Sequence, residues 1–221
     1  MGFRQWSIRL LLAFVGVAGV HSTGQASIVW NESSNGDLSN VQGTPTTVTL
    51  GVGVNSVLGT VGGGDTQDWI TLHIPAGMTL NQIVNVTFTS TDLQGFTGFA
   101  SGSAFSGSLN TPGNYNGYTH FGTSARNGSQ PAINTVGMDI FPLMADTVNV
   151  AQGAKGFTIP LGAGDYSFLI QQLGASTTYQ FDYITVAAVP EPSSLCLLGA
   201  IGAATLVRRA AQRRKGAVVA D

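Results

Sequence analysis

The chain is poor in cysteine and in charge, and each shortage excludes a class of protein. Cys196 is the one cysteine among 221 residues, so stability must come from core packing and not from intramolecular disulfides. Charged residues make up 9% of the chain. Between residues 27 and 189, nine acidic residues stand against Arg126 and Lys155, a net charge of −7. Such a body offers no positive surface to a phosphate backbone, which argues against nucleic-acid binding.

Familiar catalytic motifs are also missing from the sequence. It contains no Gly-x-Ser-x-Gly elbow, no His-Glu-x-x-His and no cysteine pair. Of three histidines, His21 lies near the N-terminus, whereas His73 and His120 stand alone in alternating apolar and polar segments. A lone histidine in a strand is more often a packing or surface residue than a ligand. The sequence therefore predicts a protein that is not an enzyme and that holds no cofactor.

The first 26 residues have the three parts of a secretory signal peptide. Arg4 and Arg9 precede an apolar run over 10–20, and the small-residue stretch 23–26 follows. We predict a signal helix that is cleaved after Ala26. A retained N-terminal anchor is the alternative, but the apolar run is short for a membrane span.

Residues 189–215 combine a rigid spacer, an apolar run and a basic cluster. Each proline of Pro190-Glu191-Pro192 fixes φ and lacks an amide hydrogen, so this stretch stays extended. The uncharged run 193–207 predicts a short transmembrane helix, and Arg208 and Arg209 begin a basic tail that stays cytoplasmic. Both ends of the sequence thus predict an exported body outside the membrane.

This layout resembles the PEP-CTERM sorting signal of bacterial exported proteins. The resemblance is carried by Pro190, Glu191 and Pro192, the short span and the arginine-rich tail, and it covers about 189–215. It implies that a membrane transpeptidase of the exosortase type cuts the chain at this signal. A tail extension, 216–221, makes the end of this chain longer than is typical of such signals.

The body between the two signals alternates apolar and polar residues with the two-residue period of half-buried strands. Glycine, proline and asparagine turns separate the segments. The pattern predicts an all-β fold over 27–188, a two-sheet antiparallel β-sandwich or jelly roll. The predicted strands are 46–50, 54–61, 68–74, 80–89, 117–121, 165–172 and 178–185.

Two further predictions concern the interior of the body. In the fourth predicted strand, the apolar even-numbered residues Leu80, Val84, Val86 and Phe88 are expected to share the buried face. Apolar residues at helical spacing over 138–152 favour one short helix.

Residues 51–186 also resemble, through weak motifs, the bacterial pre-peptidase C-terminal family of small β-sandwiches. The resembling stretches are Gly-Thr-Val at 59–61, the segment 68–77, and the pair 164–170 and 178–181. This resemblance implies a β-sandwich that accompanies secreted enzymes and carries little functional information.

One metal site and one glycan surface are weighed as alternatives. Asp65 and Asp68 lie on a glycine-rich loop whose oxygens could bind calcium, although a solvated turn explains the same residues. Aromatic residues interleaved with small polar ones over 95–121 could stack on sugars, although core packing explains them as well. These aromatic residues are Phe96, Phe99, Phe105, Tyr115, Tyr118 and Phe121.

Together these features predict a non-catalytic exported protein of the cell envelope or extracellular matrix. It is sorted through residues 189–215 and is held transiently in the membrane by its C-terminal helix. A module that binds extracellular polysaccharide is the first alternative function. A calcium-binding accessory domain or a secreted hydrolase is the second.

Overall fold

Two five-stranded sheets packed face to face form the body of the protein in a computed structural model that describes residues 26–188. The first sheet contains β1 (Ser27–Asn31), β3 (Gly53–Val61), β5 (Met78–Thr89), β8 (Met138–Asp139) and β10 (Thr177–Ala187). The second contains β2 (Thr46–Thr49), β4 (Gln67–Ile74), β6 (Gly95–Ser101), β7 (Gly117–Phe121) and β9 (Gly164–Gln171).

The predicted all-β sandwich is confirmed, but its sheets are mixed and not wholly antiparallel. The strand orders are β1-β3-β10-β5-β8 and β2-β4-β9-β6-β7. At one edge of each sheet the pairing is parallel, β1 with β3 and β2 with β4. A parallel neighbour requires a crossover, and the chain supplies it by passing from one sheet to the other between successive strands.

Apolar side chains from the inner faces of both sheets fill the space between them. Phe99 of β6 stacks on Phe168 of β9, with ring centroids 4.8 Å apart. Phe121 of β7 meets Phe181 of β10 edge to face at 4.9 Å, which joins the two sheets. Aromatic contacts of this kind add to the stability that area burial supplies. Since no disulfide is available, this core holds the sheets together.

The predicted helix over 138–152 is wrong as a single element. The structure has strand β8 followed by two short helices, α2 (Phe141–Met144) and α3 (Thr147–Ala151). Pro142 lies in the first turn of α2, where its missing N–H costs nothing. Asp146 is extended at ψ 140° and its carboxylate accepts the N–H of Val148 at 3.0 Å, so it ends one helix and caps the next. A third short helix, α1 (Glu32–Asn35), follows β1.

The predicted buried face of strand β5 is wrong in its middle. Leu80 and Phe88 are buried as expected, but Ile83 takes a core position while Val84 is only half-buried. The pairing of β5 with β10 shifts register twice, which inserts extra residues into β5. Each bulge reverses the side to which the following side chains point. Strict alternation across the whole strand therefore fails.

Both ends of the body leave the sandwich at the same end. Ser27, the first residue of β1, pairs with Asn55 of β3, and Tyr183 near the end of β10 pairs with the same residue. We call this the proximal end, and the opposite end, where β3 finishes at Val61 and β10 begins at Thr177, the distal end. The chain segments that precede and follow the body thus join it side by side.

Residues 1–25 of the predicted signal peptide 1–26 and the predicted transmembrane helix over 193–207 lie outside the described residues. Ala26, the residue before the predicted cut, is exposed and immediately precedes β1. Within residues 26–188, no helix has both the length and the apolar character that crossing a bilayer requires.

The bulges in β5 lead to a prediction about two adjacent residues. Replacing Ile83→Ala should lower the free energy of unfolding by about 3 kcal/mol, because Ile83 is buried between the sheets. Val84→Ala should cost about 1 kcal/mol or less, because this side chain is half-exposed. Urea denaturation of both variants measures the difference. Equal losses, or a larger loss at Val84, would contradict the register described here.

Candidate functional site

Four carboxylates gather at the distal end of the sandwich. Single oxygen atoms of Glu32, Asp37 and Asp68 all lie within 4.8 Å of one another. Asp65 adds a fourth charge close enough to raise the pKa of Asp68. We call these four residues the acidic cluster. The only basic residues in 26–188 are Arg126 and Lys155, and neither forms an ion pair with the cluster.

A loop of three glycines brings Asp65 and Asp68 to this position. Gly62, Gly63 and Gly64 have φ values of 98°, 67° and 143°, a region that residues with a Cβ rarely enter. The loop carries the chain from the end of β3 in one sheet to the start of β4 in the other. Asp68 is the second residue of β4, so it enters the space between the sheets from the distal end.

Glu32 reaches the cluster from the N-terminal segment of the body. It begins α1, and the side chain of Asn31 caps this helix by accepting the N–H of Ser33 at 3.1 Å. The two carboxylate oxygens of Glu32 accept the N–H of Leu38 at 3.2 Å and that of Thr60 at 2.6 Å. Glu32 thereby connects its own segment to strand β3. Asp37, five residues further along, is exposed at the edge of the cluster.

Asp68 is the most unusual member because it is a carboxylate with 0% exposure. The hydroxyl of Tyr179 donates a hydrogen bond to its Oδ2 at 2.7 Å. Its Oδ1 has no hydrogen-bond partner within residues 26–188, and the same holds for both carboxylate oxygens of Asp65. A buried polar atom without a partner costs about 1–3 kcal/mol. The unmatched oxygens are therefore destabilising unless a proton or a cation satisfies them.

The pKa values of the cluster show how poorly its charges are compensated. Burial above all, together with the charges of Glu32, Asp65 and Asp37, raises the pKa of Asp68 to about 8, although the hydrogen bond from Tyr179 acts in the opposite direction. Burial also raises the pKa of Glu32 and of Asp65. Carboxylates that repel one another with no cation nearby form a favourable set of ligands for a hard divalent cation.

The sequence-based site is thus extended by the structure. Asp65 and Asp68, the predicted calcium candidates, do lie together, but Glu32 and Asp37 were missed. These two residues are about 30 positions away in the chain and belong to a segment with no metal-binding spacing. The parallel pairing of β1 with β3 brings them to the glycine loop. Their acidity in a chain with so few charges was the one available signal.

The aromatic residues between 95 and 121 divide into three groups. Phe99 and Phe121 are buried in the core between the sheets. Phe105 and Tyr115 are buried in a second cluster with Trp69 on the outer face of the second sheet. Only the two remaining residues are partly exposed, Phe96 and Tyr118. Core packing therefore explains most of this region, and a glycan surface could use only two of the six rings.

The two histidines of the body have separate surroundings. His73 on β4 contacts Asp165 on β9, with Nδ1 and Oδ1 2.6 Å apart, and each side chain is a little less than half exposed. The Nδ1 of His120 lies 3.2 Å from Oδ1 of Asn127. Within the described residues, the imidazole ring of neither histidine hydrogen-bonds to a serine or threonine hydroxyl or to a cysteine thiol.

The raised pKa of Asp68 predicts how stability depends on pH when no metal is present. In the unfolded chain an aspartate has a pKa of about 3.9, so the folded protein holds the proton more tightly. The resulting stability is fully present below about pH 4 and is lost as the pH rises through the folded value of about 8. In the presence of a chelator, the free energy of unfolding should fall by up to about 1 kcal/mol per pH unit between about pH 5 and pH 8.

Urea denaturation across this pH range checks the expectation. Asp68→Asn keeps the shape but cannot ionise, so its free energy of unfolding should vary clearly less with pH. The slope should not vanish, because Glu32 and Asp65 are shifted in the same direction. An identical slope in the variant would show that Asp68 is not the group responsible.

The sorting residues Pro190, Glu191, Pro192, Arg208 and Arg209 follow β10 in the chain and lie outside the described residues. A protein-family model described as the PEP-CTERM protein-sorting motif matches residues 188–214. No curated protein and no solved structure is significantly similar to the chain. The resemblance of the body to the pre-peptidase C-terminal family stays a prediction. The chain thus carries a PEP-CTERM sorting motif after its last strand, which supports an exported protein that is sorted at its C-terminus.

Proposed function

We propose that this protein is a non-catalytic component of the cell envelope or extracellular matrix, sorted and cut by an exosortase-type transpeptidase. The observation that carries this proposal is the sorting motif at residues 188–214. The cut is expected at Pro190-Glu191-Pro192, after the following apolar helix has held the chain transiently in the membrane. Removal of residues 1–26 gives the mature N-terminus.

The position of the sorting motif relative to the sandwich is consistent with export and with sorting through the C-terminus. β10 ends at Ala187, so the sorting motif begins where the sandwich finishes at its proximal end. While the helix is in the membrane, the proximal end faces the bilayer and the acidic cluster at the distal end faces away. This orientation exposes the distal end to calcium and to extracellular polysaccharide, the two partners that the sequence suggests for the body.

The surroundings of the histidines support a role without catalysis. General-base catalysis requires a base within hydrogen-bonding distance of the group it deprotonates. His73 contacts a carboxylate and His120 an amide. At the distal end, the carboxylates of the acidic cluster accept hydrogen bonds from backbone N–H groups and from Tyr179, and among the described residues none of them contacts a serine or threonine hydroxyl. We therefore propose no reaction for the body.

The processing step can be tested by intact mass. Wild-type protein in the envelope and medium should begin at Ser27 and end near Pro192. Changing Pro190, Glu191 and Pro192 together to alanine should leave the C-terminal segment attached, because the transpeptidase no longer finds its site. The variant should then accumulate in the membrane fraction with the mass of the uncut chain.

Val219→Ala in the tail extension is the matched control and should be processed like the wild type. Uncut wild-type protein in the cytosol would contradict both the export and the sorting. Normal trimming of the triple variant would show that another part of the chain directs the cut.

Calcium binding at the acidic cluster is the second candidate function. The observation that favours it is the fully buried Asp68 with an unpartnered Oδ1 beside the carboxylates of Glu32 and Asp37. Calcium prefers six to eight oxygen ligands, which carboxylates and loop carbonyls can supply. A bound ion would replace the proton on Asp68 and would link the segment around α1 to the glycine loop.

Thermal unfolding with excess calcium and with chelator tests this function. If calcium binds only the folded protein, the melting temperature should rise, corresponding to about 2.7 kcal/mol when calcium exceeds its dissociation constant about 100-fold. Asp68→Asn should abolish the rise. Asp165→Asn removes an exposed carboxylate on the outer face of the second sheet, away from the acidic cluster. This variant should retain the rise in melting temperature. A wild-type melting temperature that is the same in calcium and in chelator would reject the site.

A further inference from the structure

A row of side chains crosses the open part of the outer face of the second sheet. Phe96 on β6 is the register partner of both Gln171 on β9 and His120 on β7. Gln171 is in turn the partner of Gln67 on β4. Residues at matched register on one face stand side by side, so these four side chains form a continuous row across four strands. We call it the outer row.

The outer row is open because a loop covers only the rest of this face. Residues 102–116 fold over β4, β6 and β9 and bury Phe105 and Tyr115 against Trp69. Gly98 allows the close approach of Tyr115, since a Cβ at this position would lie 2.8 Å from its ring. The edge of the loop at Leu109 and Asn110 then forms one wall of a groove beside the row.

The groove is large and its lining carries no formal charge. Its main part measures about 410 Å³, and Leu173 and Asn110 are among the residues that line it. A second part of about 230 Å³ shares Phe96, Leu109 and Asn110 and continues past Tyr118. No aspartate, glutamate, lysine or arginine lines either part. Among the described residues, the side-chain amides of Gln171 and Asn110 donate and accept no hydrogen bond, so they are free to bind a ligand.

The aromatic rings form a platform at the centre of the groove. The rings of Phe96 and Tyr118 lie 5.8 Å apart and are tilted by only 32°. The edge of His120 packs against Phe96 at 5.6 Å. Tyr118 is oriented by a 2.8 Å hydrogen bond from its hydroxyl to Gln152. Both rings are half-buried. Part of each ring is therefore exposed to solvent, while the packed part holds the ring in place.

We infer that this groove binds a neutral polysaccharide, with hexose rings lying against Phe96 and Tyr118. A sugar ring has an apolar C–H face that suits an aromatic surface, and its hydroxyl groups can both donate to and accept from amides such as Gln171 and Asn110. The absence of charge in the lining favours a neutral polymer over a uronate-containing one, which would require lysine or arginine. This inference rests on the proposed extracellular location, where such a polymer is present.

Binding to an array of neutral gluco-, galacto- and manno-oligosaccharides, with oligouronates alongside, tests the inference on the full purified chain. The protein should bind at least one neutral series. Phe96→Leu, which keeps an apolar side chain but loses the aromatic face, should weaken this binding about fivefold. Gln171→Ala should weaken it by a similar factor, because the free amide is lost.

Gln82→Ala is the matched control, since it removes an exposed glutamine from the other sheet, and it should bind like the wild type. Absence of binding to every neutral series, binding to oligouronates alone, or unchanged binding by both groove variants would overturn the inference. All these variants keep residues 188–214 intact, so their location by cell fractionation reports separately on the proposed sorting. A variant that is sorted normally but binds no sugar would show that the groove and the sorting signal act independently.

Discussion

The contact between the inner faces of the two sheets is the constraint on which the rest of the structure depends. Without disulfides, the body is held by rings such as Phe121 and Phe181, which meet across the interface. Most strands therefore direct apolar side chains inward where they cross the core. In β5 two bulges interrupt the alternation, so Ile83 takes a core position and Val84 is only half-buried.

This constraint leaves the ends and the outer faces of the sandwich for polar groups. At the distal end, Asp68 enters between the sheets, and Tyr179 compensates one of its oxygens from inside the core. The same tyrosine lies in the aromatic series that joins the sheets, with its ring 5.6 Å from that of Phe181. The acidic cluster thus contacts the core through Tyr179. A ligand that changes the charge of the cluster would therefore change the stability of the whole body.

The two candidate binding regions lie away from the point where the sorting signal leaves the body. Gln171 in the outer row pairs with Gln67, one residue before Asp68, so the groove and the acidic cluster both lie towards the distal end. β10 carries the chain back to the proximal end, where the sorting motif begins. An exported body can consequently expose both regions at the end opposite to its sorting motif.

The sequence alone determined the sorting signal and the β-sandwich, because both depend on the order of neighbouring residues. The sorting signal is Pro190 and Pro192 beside an apolar run and arginines. The sandwich is indicated by the two-residue alternation of Tyr179, Phe181 and Tyr183. It also placed Asp65 and Asp68 together, since residues only three positions apart cannot lie far from each other. Only the tertiary structure added Glu32 and Asp37 to that pair and aligned Gln171, Phe96 and His120 in one row. Those contacts come from pairing between strands distant in the chain, and no local pattern encodes the register in which such strands meet.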